Sequence, residues 1–315
     1  MSERTPPNEM PNTGKLPLDH AAAETPQLEV GVPVHNEGRT LRRTLSSILN
    51  QTHTDLVVHI SDNGSVDDTA DICREFATRD ARVSYTHHSA VLEAPDNFRF
   101  LIERSKAPYF AFLAGDDWWA PTFADRCLTQ LAHDPAAVCC VTRASFVDDA
   151  GVSSKLSDGT YALDTDARTR LRRYLGGPGD NSRMFGVYRS AVLKDAWRRT
   201  PVTVAHDWLV CALTLIEGKH LEWPETLFFR EETPYQDYWK LAERWESSVV
   251  GRALPNLRMT HVLVANLPPT LRAMLLPTVV AHNFHAMVHS PYAASRRAAR
   301  VPGKTKALLL KSLRW

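Results

Sequence analysis

At 315 residues and 43% hydrophobic content, the chain can bury one substantial core and a smaller appendage, and it is short for two full catalytic domains. Five cysteines, an odd number with no C-x-x-C pair, exclude a disulfide framework and a zinc ribbon and suit a reducing cytoplasm. The net charge of +1 hides a division: residues 247–315 carry 10 Lys and Arg and no acid, leaving 27 basic against 36 acidic residues, a charge of −9, in 1–246.

The first 27 residues are rich in Pro, Glu, Asn and Thr and lack the apolar core of a secretion signal, which predicts a disordered leader over 1–27. Leu28–Val34 is an apolar run expected to be a strand. Leu41, Leu45, Ile48 and Leu49 then recur at helical spacing. Asp55–Ser61 predicts a second buried strand, and the turn Asp62-Asn63-Gly64-Ser65 places Ser65 to cap a helix carrying Ile72, Cys73 and Phe76. Arg82–Thr86 predicts a short third strand, Asn97–Arg104 a helix, and Tyr109–Ala114 a fourth strand running into Gly115-Asp116-Asp117. Pro121 suits the first turn of a helix with Phe123, Cys127, Leu128 and Leu131 on one face, and Val138–Phe146 is strand-like. Strands alternating with helices predict an α/β domain with a mostly parallel sheet flanked by helices.

From Ala150 to Gly179 the pattern predicts a hairpin, a helix around Arg168–Tyr174 and a Gly-rich loop. Met184–Tyr188, a helix from Ser190, a helix His206–Glu217 and a strand near Thr226–Arg230 follow, with helices alone expected beyond Glu231. No stretch reaches the roughly 18 uninterrupted apolar residues of a membrane span, because Arg272, Pro277, His282 and Asn283 interrupt the best candidate. The basic helical extension 232–315 ends in a segment, 303–315, whose leucines and lysines suit peripheral contact with a membrane. Docking on the acidic catalytic domain or in a homodimer is the competing expectation.

Ligands of an open α/β sheet bind beyond the carboxyl ends of its strands. No G-x-G-x-x-G follows the first strand and no P-loop exists, so a nucleotide must be held differently. Three strands end in polar groups: Pro33-Val34-His35-Asn36-Glu37, Asp62-Asn63-Gly64-Ser65 and Gly115-Asp116-Asp117. Adjacent carboxylates repel unless a cation lies between them, and Mg2+ or Mn2+ is commonly held by one or two carboxylates plus substrate phosphates. Alone, such a pair reads more readily as a solvated turn with Asp capping the Pro121 helix.

The ordered blocks VGVPVHNEGRTLRRTLSSILNQTHTDLVVHISDNGSVDDT (30–69), APYFAFLAGDDWWAPTF (107–123), RMFGVYRSAVL (183–193) and AHDWLVCALTLIEG (205–218) resemble the family 2 glycosyltransferases over about two thirds of the chain. The resemblance implies the GT-A (Rossmann-like) fold and a catalytic domain over 28–231, with a nucleotide-binding half 28–149 and an acceptor half 150–231. It also implies an inverting transfer from a nucleotide diphosphate sugar, a UDP-sugar first, to the hydroxyl of a glycan, a lipid-linked acceptor or a small molecule. Matched position by position, Pro33, His35 and Glu37 cradle the nucleoside, Asp62 recognises the base, Asn97 lies at the donor, Asp116 stands near the ribose and Asp117 binds the metal on the diphosphate. His35 stands where a tyrosine is common, and Gly115 replaces the first acid of the family's D-x-D pattern. Asp207, by itself a first-turn aspartate favoured by the helix dipole, matches the general base.

Other features carry less. Arg230 could reach the diphosphate or serve surface ion pairing. His282, His285 and His289 share helical spacing, but without a nearby acid they match no zinc-enzyme pattern. Trp118-Trp119 is either a sugar-stacking wall or core. No nucleic-acid reader motif is present. A binding protein or scaffold that kept the fold without turnover is the alternative from another class.

Overall fold

All seven residues of the first strand, β1 (Leu28–Val34), are buried, as expected where helices cover both faces of a parallel sheet. Leu28, Val30, Val32 and Val34 enter one core. On the other face a Cβ at Gly31 would stand 2.6 Å from Phe110 Cζ, so that position accepts only glycine. The computed structural model describes residues 25–148, 153–232, 244–245, 254 and 256–288. The expected leader up to residue 24 and the tail segment 303–315 lie outside the described residues.

β2 (Leu56–Asp62) and β3 (Val83–His87) extend the sheet in parallel on one side of β1, and β4 (Tyr109–Phe112) lies parallel on the other. The remaining strands are β5 (Trp118–Trp119), β6 (Ala137–Val147), β7 (Ser153–Leu156), β8 (Val187–Arg189) and β9 (Lys219–Glu231). Their order is β3-β2-β1-β4-β8-β6-β9-β5, with β7 on β6. β8 runs antiparallel between β4 and β6, and β6 and β9 are parallel.

Pleat alternation divides the core in two. From β4 and the residue after it, Ala111 and Leu113 point to the layer formed by α1 (Leu41–Leu49), α2 (Thr69–Arg79) and α4 (Phe123–His133). Phe110 and Phe112 point to the layer of α3 (Ala94–Arg104), α5 (Ala167–Gly176), α6 (Ser190–Arg199) and α7 (His206–Glu217). α1 buries Leu41, Thr44, Leu45 and Ile48, the i, i+3, i+4, i+7 stripe of an amphipathic helix. Helix α7 is different, with every residue from Leu209 to Leu215 buried. It is a core helix in which only Thr214 and Glu217 are polar beyond the first turn, so its amino end is held at the edge of the second layer. α8 (Leu257–Asn266) and α9 (Pro269–Val288) add Met259, Leu263, Leu275 and Val279 to that layer. Among the described residues no helix is long and apolar enough to cross a membrane.

Several local expectations change. Trp118-Trp119 forms a strand that pairs with Phe228 and Phe229 of β9, a two-residue pairing that no periodicity could reveal. β9 begins at Lys219, directly after Gly218, rather than near Thr226, because its charged residues Lys219, Glu222 and Glu225 mask the strand pattern. The segment 184–188 divides into a 3-10 turn, Ser182–Phe185, and the short β8. Helix α3 starts three residues early, with Pro95 in its first turn, and α4 starts at Phe123, beyond Pro121. Ser65 does not cap α2, whose preceding residue is Asp68; the Ser65 hydroxyl instead accepts the Asn36 N–H at 2.9 Å, joining the first two strand-end loops.

Candidate active site

The first two loops are fastened by short side chains. Asn36 adopts a left-handed backbone, φ 59°, which its amide helps to hold by accepting the Val66 N–H at 2.9 Å. Glu37 N–H donates to Thr69 Oγ1 at 2.8 Å and Gly38 N–H to Asp67 Oδ2 at 3.0 Å. His35 is exposed, and its Nδ1 lies 2.9 Å from Asn63 O. Pro33 is buried in β1. Asn97 is 3% exposed, its amide donating to Ser61 O at 3.2 Å, so it fixes α3 to β2 beside Asp62.

The Gly115-Asp116-Asp117 turn is set by helix α1. The Thr40 hydroxyl donates to Gly115 O at 2.9 Å, and the single Thr44 hydroxyl proton is shared between Asp117 O at 2.7 Å and Gly115 O at 2.9 Å. A Cβ at residue 115 would lie 2.8 Å from Glu37 Cγ and 2.9 Å from Val34 Cγ1, which explains why the first position of the acidic motif is glycine. Gly115→Ala is therefore expected to cost about 1–3 kcal/mol through overpacking, read as a lowered Tm by calorimetry, and to displace Glu37 against Asp116.

Asp117 is 2% exposed. Its Oδ1 accepts the Glu231 N–H at 3.1 Å, while Oδ2 makes no hydrogen bond and faces Arg230 Nε at 3.4 Å, an electrostatic contact. Arg230 in turn donates from Nη1 to Ser182 Oγ at 3.2 Å, with its guanidinium over the rings of Phe146 and Phe185. Glu231, also buried, accepts from Arg43 at 2.7 Å and from Arg39. Trp118 stacks on Phe229, with Arg43 3.6 Å from its ring centroid, and Trp119 is buried against Phe123. Both tryptophans are thus engaged by protein groups.

Asp207 sits in the first turn of α7, after Ala205 at φ 56°. Asn181, 2% exposed and itself left-handed at φ 56°, donates from Nδ2 to Asp207 Oδ2 at 3.0 Å. The buried Tyr174 hydroxyl donates to Asn181 Oδ1 at 2.9 Å. A continuous chain of contacts therefore runs from Asp117 through Arg230 to Ser182, whose neighbour Asn181 aims Asp207. Sequence reasoning missed Asn181, Glu231 and this role of Arg230. The Gly-Gly-Pro-Gly-Asp-Asn stretch at 176–181 signals a turn, but nothing in it indicates a partner 26 residues away. His282 joins α9 to α5 and α8, with Nδ1 2.8 Å from Leu175 O and Nε2 3.1 Å from Asn256 Nδ2; the side chains of His285 and His289 lie outside the described residues.

Glu37, Asp116 and Asp117 resist ionisation, unlike Asp62, where burial is outweighed by hydrogen bonds from Ser65, His87 and Tyr85 that hold it below the usual carboxylate range. Burial pushes the Asp117 carboxyl well above the usual range, with Arg230 opposing and Asp116 adding to it. Burial likewise raises Asp116, and burial together with the Asp116 charge raises Glu37 to about 7. Three carboxyls are crowded here and Asp117 Oδ2 makes no hydrogen bond, a setting in which a divalent cation would compete with Arg230 for the negative charge. No group of three metal-ligating side chains exists among the described residues. The donor set fits Mg2+ or Mn2+, with Arg230 as the competing positive charge.

Without a divalent ion, the raised Glu37 value means that the folded state holds a proton the unfolded chain has released. That stability is present below the ordinary value of 4.5 and is lost as pH rises through about 7. Thermal melting in EDTA is accordingly expected to give a lower Tm at pH 8 than at pH 6, with Mn2+ narrowing the difference.

The sheet order and flanking layers are those of the GT-A glycosyltransferases. TarS of S. aureus, residues 1–349, superposes with a TM-score of 0.55 over 86% of this chain and 91% of that one, at 13% identity. The mannosyltransferase PcManGT of Pyrobaculum calidifontis, in complex with GDP-Man and Mn2+, gives 0.54 over 95% and 83%, at 18% identity. Residues 29–197, more than half of the chain, match the family described as glycosyl transferase family 2, and the chain belongs to that family. It is 32% identical over 126 residues to EpsH of Bacillus subtilis, covering 40% of this chain and 36% of that one. It is 29% identical over 127 residues to the chondroitin synthase of Escherichia coli, covering 40% and 18%. The chain thus spans well under half the length of these two relatives.

Proposed function

We propose that the chain transfers a sugar from a nucleoside diphosphate donor to an acceptor hydroxyl by a single displacement that inverts the anomeric carbon. The observation that carries this is the linked pair of acids: Asp117 at the strand end and Asp207 in the first turn of a core helix, joined through Arg230, Ser182 and Asn181. Fold neighbours in complex with UDP-GlcNAc and with GDP-Man and Mn2+ support a nucleotide-sugar donor and a divalent ion, and a UDP-sugar is the first donor to try.

In this reading Asp117 holds the cation, with Asp116 beside the ribose. A bound divalent cation supplies Lewis-acid stabilisation of the charge that grows on the departing diphosphate. Pro33, His35 and Glu37 line the nucleoside side, with Asp62 and Asn97 behind it. Asp207 accepts the proton of the attacking hydroxyl as the new glycosidic bond forms. Asn181 fixes the carboxylate so that its other oxygen, Oδ1, is presented to the acceptor. The acceptor is a glycan, a lipid-linked hydroxyl or a small molecule.

The test is release of nucleoside diphosphate from a panel of UDP-, dTDP- and GDP-sugars with Mn2+, first against water and then against candidate acceptors, with product anomeric configuration read by NMR. Retention of configuration, or no turnover with any donor under conditions where the protein binds nucleotide, would refute the proposal.

A further inference from the structure

Helix α9 is anchored by one face. Leu275 and Val279 are buried in the second core, Leu271 packs against it, and His282 Nδ1 lies 2.8 Å from Leu175 O of α5. The opposite face has no such cover. Ala273, Leu276, Pro277 and Val280, at i, i+3, i+4 and i+7, are all exposed, although a water-facing stripe at that spacing is normally polar. Leu276 is 52% exposed, Val280 60% and Met274, on the flank, 49%. From residue 273 to 281 only Thr278 is polar, and Arg272 carries the one formal charge of the helix. A helix apolar on all sides is ordinarily enclosed by protein or by lipid.

The charges exposed beside this helix are mainly positive. Arg258 stands on α8 and Arg272 on α9 itself, while α5, which α9 meets at Leu175, exposes Arg168 and Arg172. The nearest acids on α5, Asp164 and Asp166, lie at its other end, where Asp166 accepts the Arg168 and Thr169 N–H groups as a cap. None of these four arginines joins an ion pair among the described residues. Surface arginines elsewhere do: Arg42 pairs with Glu75, Arg99 with Asp96 and Arg199 with Asp195. Helices α8 and α9 also fall within residues 247–315, which hold 10 Lys and Arg and no acid. An apolar stripe bordered by unpaired arginines fits the boundary between lipid headgroups and acyl chains, which offers anionic charge and apolar depth together. The acidic surface of residues 1–246 would match the charges alone and leave the stripe in water.

We propose that α9 lies in the surface of an anionic lipid membrane, with Leu276, Pro277 and Val280 among the acyl chains and the arginines of α5, α8 and α9 at the headgroup phosphates. The helix lies along the surface and does not span it, since Arg272 and the buried core side fix its depth. The contact is thereby assigned to a folded helix rather than to the segment 303–315, and it is independent of the sugar-transfer reading.

The experiment is flotation of the full chain with vesicles of phosphatidylcholine alone and of phosphatidylcholine mixed with phosphatidylglycerol. Binding to the mixed vesicles should be at least about tenfold the stronger and should fall as salt is raised. Leu276→Ser combined with Val280→Ser should weaken binding to the mixed vesicles by about tenfold or more, from the apolar area withdrawn. Arg168→Gln combined with Arg172→Gln should weaken it by about tenfold through charge alone. All four side chains are exposed, so thermal melting should show both variants folded. Absence of flotation by the unaltered chain would overturn the proposal, as would undiminished binding in either variant. A dimer in sedimentation velocity that the serine pair dissociates, without vesicle binding, would make the stripe an interface between copies instead.

Discussion

Asp207→Asn is expected to lower turnover by about 10²–10⁴-fold, the usual worth of a positioned general base, with donor affinity unchanged within about twofold. The substitution is nearly isosteric. Its amide oxygen can still accept from Asn181 Nδ2, now at 3.0 Å from Oδ2, so the first turn of α7 and the Tyr174–Asn181 hydrogen bond remain in place. What disappears is a proton acceptor facing the incoming hydroxyl. Donor titration by calorimetry alongside steady-state kinetics separates the two quantities. Collapse of donor binding in this variant would move Asp207 from the acceptor side to the donor side and end its assignment as base.

Asp117→Asn is expected to reduce turnover by about 10³-fold or more, since several kcal/mol of charge stabilisation at the leaving group depends on the cation it holds. Its stability should fall. The amide oxygen can take over the Glu231 N–H, bonded at 3.1 Å to the carboxylate, but the amide leaves the largely buried Arg230 guanidinium, now 3.4 Å from Asp117 Oδ2, without its carboxylate partner. The diagnostic is a thermal-shift comparison with UDP in EDTA and in Mn2+: the unaltered chain gains an Mn2+-dependent increment and the variant does not. A variant that kept the full increment would show that another residue holds the ion. Loss of turnover with normal Mn2+ response would point to a role for Asp117 in holding Arg230 and Glu231 instead.

The two substitutions probe opposite ends of one connected network, and Arg230 stands between them. Its guanidinium faces the Asp117 carboxylate and donates to Ser182, the residue next to the one that aims Asp207.

Legibility in the sequence followed burial. β1, with Glu29 its one charged residue, and α7, apolar from Leu209 to Leu215 except at Thr214, stood out as apolar runs, and the acidic turn after β4 was visible because an abrupt change from Phe112 and Leu113 to Asp116-Asp117 marks a strand end. β5 was invisible because two residues carry no period, and the start of β9 was hidden by its charges.

Residue types and local order were written in the chain itself: strands ending in polar turns, and an acid in the first turn of a mostly apolar helix. Partnership was decided only by the tertiary structure. That Asp62 is enclosed by Ser65, Tyr85 and His87, that Asn181 aims Asp207, and that Arg230 faces Asp117 all depend on sheet register and on loop geometry at left-handed positions. Hydrogen bonds between residues far apart in the chain leave no periodic trace, because the energy that selects them is that of satisfying buried polar groups after the apolar layers have closed.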